Sequence, residues 1–96
     1  MAKILLPTNE LLCGLAEECG ELTQAALKLR RSYDQTNPTP IDTDTAYEKF
    51  CEEVADVLLY LDQIDFNKDY VNEIKERKLG RWIYRLMKKD DEGLSI

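Results

Sequence analysis

The sequence predicts an all-α protein: an antiparallel bundle of three main helices that oligomerisation completes into a four-helix-type core. Apolar residues recur at alternating steps of three and four along two long segments, the period of a helix buried on one face, and a third long segment carries its apolar residues on one side. A proline-containing loop and a short polar turn separate these segments. No segment has the two-residue alternation that indicates a β-strand.

The composition bounds the protein class. The 96 residues correspond to a single domain, 1–96, with an N-terminal tail at 1–7 and a C-terminal tail at 90–96. Apolar residues make up 44% and charged residues 33%, which is typical of a folded domain without a membrane span. The three cysteines fall within helical patterns, and the N-terminal apolar run is too short for a signal peptide. We therefore expect reduced thiols and a cytoplasmic protein.

Charge and histidine content exclude several function classes. A net charge of −6 argues against binding long nucleic acid through its phosphates, but it is compatible with a small phosphorylated ligand that arrives with its own metal. The sequence contains no histidine, which removes a histidine base and the serine or cysteine triads. Zinc is disfavoured because the cysteines lack suitable spacing. Oxygen ligands remain, and these favour magnesium, manganese or calcium.

The first helix is predicted to run from Thr8 or Asn9, either of which can cap it, to about Tyr33. Pro7 ends the extended tail before it. The apolar seam of this helix passes through Leu11, Leu15, Glu18, Leu22, Ala25 and Leu29. Because Glu18 lies in this seam, its charge is drawn toward the core, where it is costly without a partner. A glutamate whose head group snorkels back to water is the alternative.

The second helix is predicted from about Thr45 to Asp65, with several N-caps available between 42 and 44. Before it, Pro38 and Pro40 exclude a continuing helix. Its main stripe is predicted to comprise Tyr47, Phe50, Val54, Val57, Leu61 and Ile64. Its middle is apolar nearly all round, so we expect burial on more than one side, including against a second subunit.

The third helix is predicted from about Asp69 to Lys89, after the turn 67–69. Its apolar side comprises Val71, Ile74, Leu79, Trp82, Ile83 and Leu86. Four aromatic residues fit the helical stripes and are expected in the core: Tyr47, Phe50, Tyr60 and Trp82. One of these, or Tyr33, is also a candidate for stacking on a nucleobase.

Acidic residues are paired at helical spacing on the first two helices. Glu18 and Glu21 lie three residues apart, as do Glu53 and Asp56, and Glu17 lies four residues before Glu21. Such neighbours share one side of a helix and repel each other. If the two helices pack antiparallel with the pairs level, four carboxylates converge on one point. This cage would bind Mg²⁺ and leave positions open for water and phosphate oxygens.

The segment Glu18-Cys19-Gly20-Glu21 followed by Glu53-Val54-Ala55-Asp56 resembles the ExxE…ExxD signature of the MazG-like, all-α nucleoside triphosphate pyrophosphohydrolases. The resemblance extends roughly from Leu11 to Arg81. It implies hydrolysis of a nucleoside triphosphate to its monophosphate and pyrophosphate by metal-activated water. The family's four motif carboxylates hold Mg²⁺, with Mn²⁺ as an alternative ion, and they correspond here to Glu18, Glu21, Glu53 and Asp56.

Further roles complete this hypothesis. Glu17 is a candidate acceptor for the proton of the attacking water, with an ordinary solvated glutamate as the alternative. The family also places basic and amide groups on the following helix, where they meet the triphosphate. That helix offers Asn72, Lys75, Lys78 and Arg81. Their order departs from the family's usual pattern, and a solvated basic face is the alternative. The implied partners are a small nucleotide and further copies of the chain, in a homodimer or homotetramer.

Two other functions fit the same residues. In a non-catalytic helical interaction module, the acidic pairs would be surface decoration and the two-sided second helix would be an interface. A degenerate family member would bind nucleotide without cleaving it.

Overall fold

Three α-helices make up the computed structural model, which describes residue 3, residues 5–36 and residues 41–91. The helices are α1 (Thr8–Asp34), α2 (Thr43–Gln63) and α3 (Lys68–Asp91). The described part of the chain contains no strand, so the predicted all-α class is confirmed. None of these helices combines the length and apolar character needed to cross a bilayer, among the residues described.

The start of α1 differs from the prediction that Thr8 or Asn9 caps it. Pro7 occupies the N-cap position, and no side chain caps the helix. The Pro7 carbonyl instead accepts hydrogen bonds from the amides of Glu10 and Leu11, at 3.0 and 3.1 Å. Proline fixes its own φ, here −59°, so the chain can enter the helix directly after it. The predicted cap is therefore wrong by one or two residues.

The helix ends on either side of the first loop are held by local hydrogen bonds. Gln35 has a left-handed backbone, with φ of 59°, and its amide donates to the Arg31 carbonyl. Asp42 caps α2, because its Oδ2 accepts hydrogen bonds of 3.1 Å from the Thr45 amide and hydroxyl. This cap lies within the predicted range. The segment 37–40, which contains Pro38 and Pro40, lies outside the described residues.

The other helix bounds fall within two residues of those predicted. α2 begins and ends two residues earlier than expected, and α3 continues through Asp91 rather than stopping at Lys89. Residues 90 and 91, which were assigned to the C-terminal tail, are therefore helical. Residues 92–96 lie outside the described part of the chain. Asn67 supplies the N-terminal hydrogen bond of α3, accepting from the Tyr70 amide at 2.9 Å.

α1 and α2 form an antiparallel hairpin within the compact unit Met1–Asp65. At one end of the hairpin the Thr43 hydroxyl donates to the Ser32 carbonyl at 3.5 Å. At the other end Lys3 Nζ donates to the Asp62 carbonyl at 3.0 Å, which ties the N-terminal tail to the end of α2. Every residue of the seam predicted for α1 is buried or half-buried, so that seam is confirmed.

The stripe predicted for α2 is only half right. The side of α2 that packs on α1 comprises Ala46, Phe50, Glu53, Val57, Tyr60 and Ile64. Three predicted residues, Tyr47, Val54 and Leu61, each lie one position after a residue of this packed side. Together with Leu58 they form a second stripe, which we call the outer seam. Because both stripes recur with the period of a helix, apolar periodicity alone could not identify the one that is buried.

The second unit, Phe66–Ile96, contains α3. Ile74 is half-buried, and the other side chains described on α3 are exposed. Trp82 is 62% exposed and Tyr47 on α2 is 54% exposed, so neither is a core residue of the single chain, contrary to expectation. Phe50 and Tyr60 are half-buried and line the hairpin as expected.

Candidate metal centre

Three carboxylates from the two helices of the hairpin converge at one place. One oxygen from each of Glu18, Glu53 and Asp56 lies within 4.8 Å of the other two. Glu53 and Asp56 are one turn apart on α2, and Glu18 reaches them from α1 across the interface. The convergence of acidic side chains from separate helices is therefore present, with three members rather than the predicted four.

A close contact between the helices lies one turn away from these carboxylates. Gly14 on α1 faces the ring of Tyr60 on α2, and a Cβ at position 14 would overlap that ring. Gly14 is four residues before Glu18, and Tyr60 is four residues after Asp56, so the contact and the carboxylates are adjacent along both helices. The absence of a side chain at Gly14 lets the helices approach closely enough for short carboxylates to meet.

Glu53 is the most informative member of the cluster because it is buried and only half satisfied. Its exposure is 4%. One oxygen, Oε1, forms an ion pair with Lys49 Nζ at 2.8 Å. The other oxygen, the buried Oε2, has no hydrogen-bond partner within the described residues. An unsatisfied buried polar group costs about 1–3 kcal/mol, and more when it is charged. The second oxygen is therefore positioned for a ligand that the chain itself does not supply.

Glu18, a second member of the cluster, lies close to the negative charges of the other two. Glu18 is half-buried. Its partial burial, followed by the charges of Asp56 and Glu53, raises the pKa of its carboxyl above the ordinary 4.5. A hydrogen bond with Asp56, which Glu18 can donate only when protonated, acts in the same direction. A bound cation would remove the cause of this repulsion.

Glu21 lies beside the cluster rather than within it. Its side chain is exposed, although its charge contributes to the raised pKa of Glu18. It borders a small hollow of about 80 Å³, whose lining residues are Glu21, Gln24, Ala25, Lys28 and Lys49. Glu17 is also exposed and does not belong to the group of converging oxygens. Metal binding by Glu21 and proton transfer by Glu17 thus stay predictions.

Lys49 is a residue of this site that sequence reasoning missed. It pairs with Glu53 at 2.8 Å and lies 3.9 Å from Glu52, and the Glu53 contact raises the pKa of its ammonium group. The sequence contained a signal, since Lys49 and Glu53 are four residues apart and therefore on one side of the helix. Because such pairs are common on solvated helices, the spacing did not indicate that this one reaches a buried carboxylate.

The four residues predicted to contact phosphate lie on α3, in the second unit. Asn72, Lys75, Lys78 and Arg81 all have exposed side chains. Their proposed meeting with a triphosphate stays a prediction.

The donor set suits a hard divalent cation. All three converging ligand atoms are carboxylate oxygens, which Mg²⁺, Mn²⁺ and Ca²⁺ prefer. Oxygens on opposite sides of an octahedral Mg²⁺ ion lie about 4.2 Å apart, so oxygens within 4.8 Å need only small side-chain adjustments to share one ion. The buried, unpartnered oxygen of Glu53 fits the same interpretation.

Fold and site together define a class: an all-α protein with a carboxylate cluster between two antiparallel helices. No protein-family model matches the sequence, and neither the curated proteins nor the solved structures include a significant match. The assignment of a function therefore rests on the residues themselves.

Proposed function

We propose that this protein is a Mg²⁺-dependent nucleoside triphosphate pyrophosphohydrolase of the MazG-like kind, which cleaves (d)NTP to (d)NMP and pyrophosphate. The observation that carries the proposal is the buried, unpartnered oxygen of Glu53 within a cluster of three carboxylates. The order of the two acidic pairs along the chain, which resembles the family signature, supports the choice of reaction.

Each site residue has a proposed role in this reaction. Glu18, Glu53 and Asp56 would hold the cation, and Glu21, at the edge of the cluster, is the proposed fourth ligand. Mg²⁺ bound there would supply charge neutralisation for the phosphate oxygens and an acidified water. Glu17 would accept that water's proton. The basic and amide groups proposed to bind the triphosphate are Asn72, Lys75, Lys78 and Arg81.

Pyrophosphate release from a panel of nucleoside triphosphates, with Mg²⁺ and with a chelator, tests this function. We expect release from at least one substrate only when the metal is present. Glu53→Gln keeps the shape of the side chain but removes a charged ligand, so we expect at least about a 100-fold loss of activity with unchanged helicity. Glu52→Gln is the matched control, because Glu52 is the adjacent carboxylate and its side chain is 69% exposed. Full activity in Glu53→Gln would end the assignment.

Melting experiments separate this function from its alternatives. Specific binding of Mg²⁺ and a non-hydrolysable triphosphate stabilises a protein by about 2.7 kcal/mol at one hundred times the dissociation constant. A non-catalytic interaction module would show no such shift. A degenerate family member would show the shift and release no pyrophosphate.

We further propose that the protein acts as a homodimer or homotetramer. On α2, Leu58 and Leu59 are 54% and 46% exposed in the single chain, and most apolar side chains of α3 are exposed as well. Exposed apolar patches of this kind are typical of protein interfaces. Cys13, Cys19 and Cys51 are unpaired and exposed, which favours a reducing compartment such as the cytoplasm.

A further inference from the structure

Lys49 occupies the place in the hairpin where an ammonium group can substitute for part of a metal's charge. Its Nζ is 2.8 Å from Oε1 of the buried Glu53, while its own side chain is 55% exposed. The lysine thus satisfies one oxygen of the carboxylate and leaves the other, Oε2, without a partner. A cation ligated by Oε2 would share a single carboxylate with the ammonium.

Two positive groups on one carboxylate repel each other, and they differ in how easily they can move. A lysine side chain has a flexible four-carbon stem, and more than half of this one is in solvent. A metal held by several carboxylates is fixed in place. Cation binding should therefore displace the Lys49 ammonium from Glu53, and the ammonium should not displace the cation.

The hollow next to Lys49 offers the displaced ammonium a new location. Lys49 and Lys28 both line this hollow, together with Gln24, whose amide can donate hydrogen bonds. Glu21, the proposed fourth metal ligand, also lines it, and a bound cation would neutralise its charge. An anionic oxygen placed there would be close to two lysines. Phosphate is the anion that the proposed substrate would bring to this side of the cluster.

We propose that Lys49 couples cation binding to phosphate binding: it pairs with Glu53 when the cluster holds no metal and turns to an anion in the adjacent hollow when a cation takes the carboxylates. This inference rests on the proposed function and adds a positioning residue to it. The cation frees the ammonium for the anion, and the anion draws the ammonium away from the cation's ligand. Each therefore strengthens binding of the other, as linkage requires.

Calorimetric titration of the full chain with Mg²⁺, with and without inorganic phosphate, tests the coupling. In the wild type we expect phosphate to lower the Mg²⁺ dissociation constant by about fivefold or more, the lower end of usual coupling between sites. Lys49→Gln keeps a hydrogen-bond donor beside Glu53 but removes the charge. We expect this variant to bind Mg²⁺ alone at least as tightly as the wild type and to lose the effect of phosphate.

Two further variants control the experiment. Lys49→Arg retains the positive charge and should retain the coupling. Lys3→Met removes the same charge elsewhere in the same unit, where Lys3 is 3.9 Å from Asp65, and should leave the coupling unchanged.

The outcomes distinguish this inference from the proposed function. If Lys49→Gln folds but binds Mg²⁺ more weakly than the wild type, or keeps the phosphate effect, Lys49 only supports Glu53 and the inference is wrong. If the wild type binds Mg²⁺ without any phosphate effect, the inference again fails while the metal site stands. A wild type that binds no Mg²⁺ overturns both.

Discussion

Glu18 occupies a position on α1 that a packed helix would ordinarily fill with an apolar side chain. Its partial burial and the charges of Asp56 and Glu53 raise the pKa of its carboxyl above 4.5. The folded state therefore holds this proton more tightly than the unfolded chain does. The resulting stabilisation is complete below pH 4.5 and is lost as the pH rises through the raised pKa.

Glu18→Gln should accordingly stabilise the metal-free protein at about pH 7, because the variant removes a charge that the fold disfavours. At about pH 4, where the wild-type carboxyl is largely protonated, we expect the difference to shrink. Urea unfolding midpoints at the two pH values measure the effect. Glu17→Gln is the control, since Glu17 is exposed and outside the cluster. A midpoint for Glu18→Gln at or below the wild-type value at pH 7 would contradict this account.

At the scale of the helices, the contact between Gly14 and Tyr60 fixes how closely α1 approaches α2. A Cβ at position 14 would overlap the tyrosine ring, whereas a Cβ at Gly20, six residues along the same helix, would meet nothing within 4 Å. The two glycines therefore have different reasons to be present. Gly14 is required by packing, and Gly20 is not required by any contact among the described residues.

Alanine substitutions at the two glycines should change stability in opposite directions. Gly20→Ala should raise the free energy of unfolding by about 0.5–1 kcal/mol, the usual gain in a helix interior. Gly14→Ala gains the same propensity but overpacks the interface, which costs about 1–3 kcal/mol, so we expect a net loss of about 1 kcal/mol. Denaturant unfolding measures both values. In a Tyr60→Leu background, Gly14→Ala should no longer destabilise; equal stabilisation by the two alanines would contradict the close contact.

The sequence predicted the helices well because their signals are local. The three segments, the prolines that interrupt them and the Asp42 cap all act within a few residues. The buried stripe of α2 was harder to predict because Glu53 interrupts its apolar pattern and a second apolar stripe runs beside it. The charged Glu53 in a core position therefore makes the buried stripe hard to recognise, and the same carboxylate belongs to the candidate site.

Sequence spacing predicted the three carboxylates that converge, but not the arrangement around them. Spacing placed Glu18, Glu53 and Asp56 on the correct sides of their helices, and the structure brings these three together. Spacing could not determine that Glu21 lies at the edge or that the glutamate paired with Lys49 is buried, because both depend on the relative rotation of α1 and α2. That rotation is set by tertiary packing, including the contact at Gly14.

At the scale of the whole molecule, the net charge of −6 is the sum of two units of opposite sign. Residues 1–65 carry 13 acidic and 5 basic side chains, whereas residues 66–96 carry 6 acidic and 8 basic ones. Between residues 75 and 89 there are 7 basic side chains and a single acidic one. Basic side chains are therefore concentrated on α3, and acidic side chains are concentrated on the hairpin.

The outer seam of α2 leads to a prediction about assembly. Its members Tyr47 and Leu58 are each 54% exposed, so a charge at position 58 should disturb the single chain little. If the seam is an interface between copies, Leu58→Lys must bury a charge there on association, which is strongly unfavourable. We expect the wild type to sediment as a dimer or tetramer and Leu58→Lys as a monomer with unchanged helicity. Leu5→Lys, at a leucine that is 97% exposed and outside the helices, should sediment like the wild type. A wild type that stays monomeric at all concentrations, or a Leu58→Lys variant of unchanged mass, would rule out this seam as the interface.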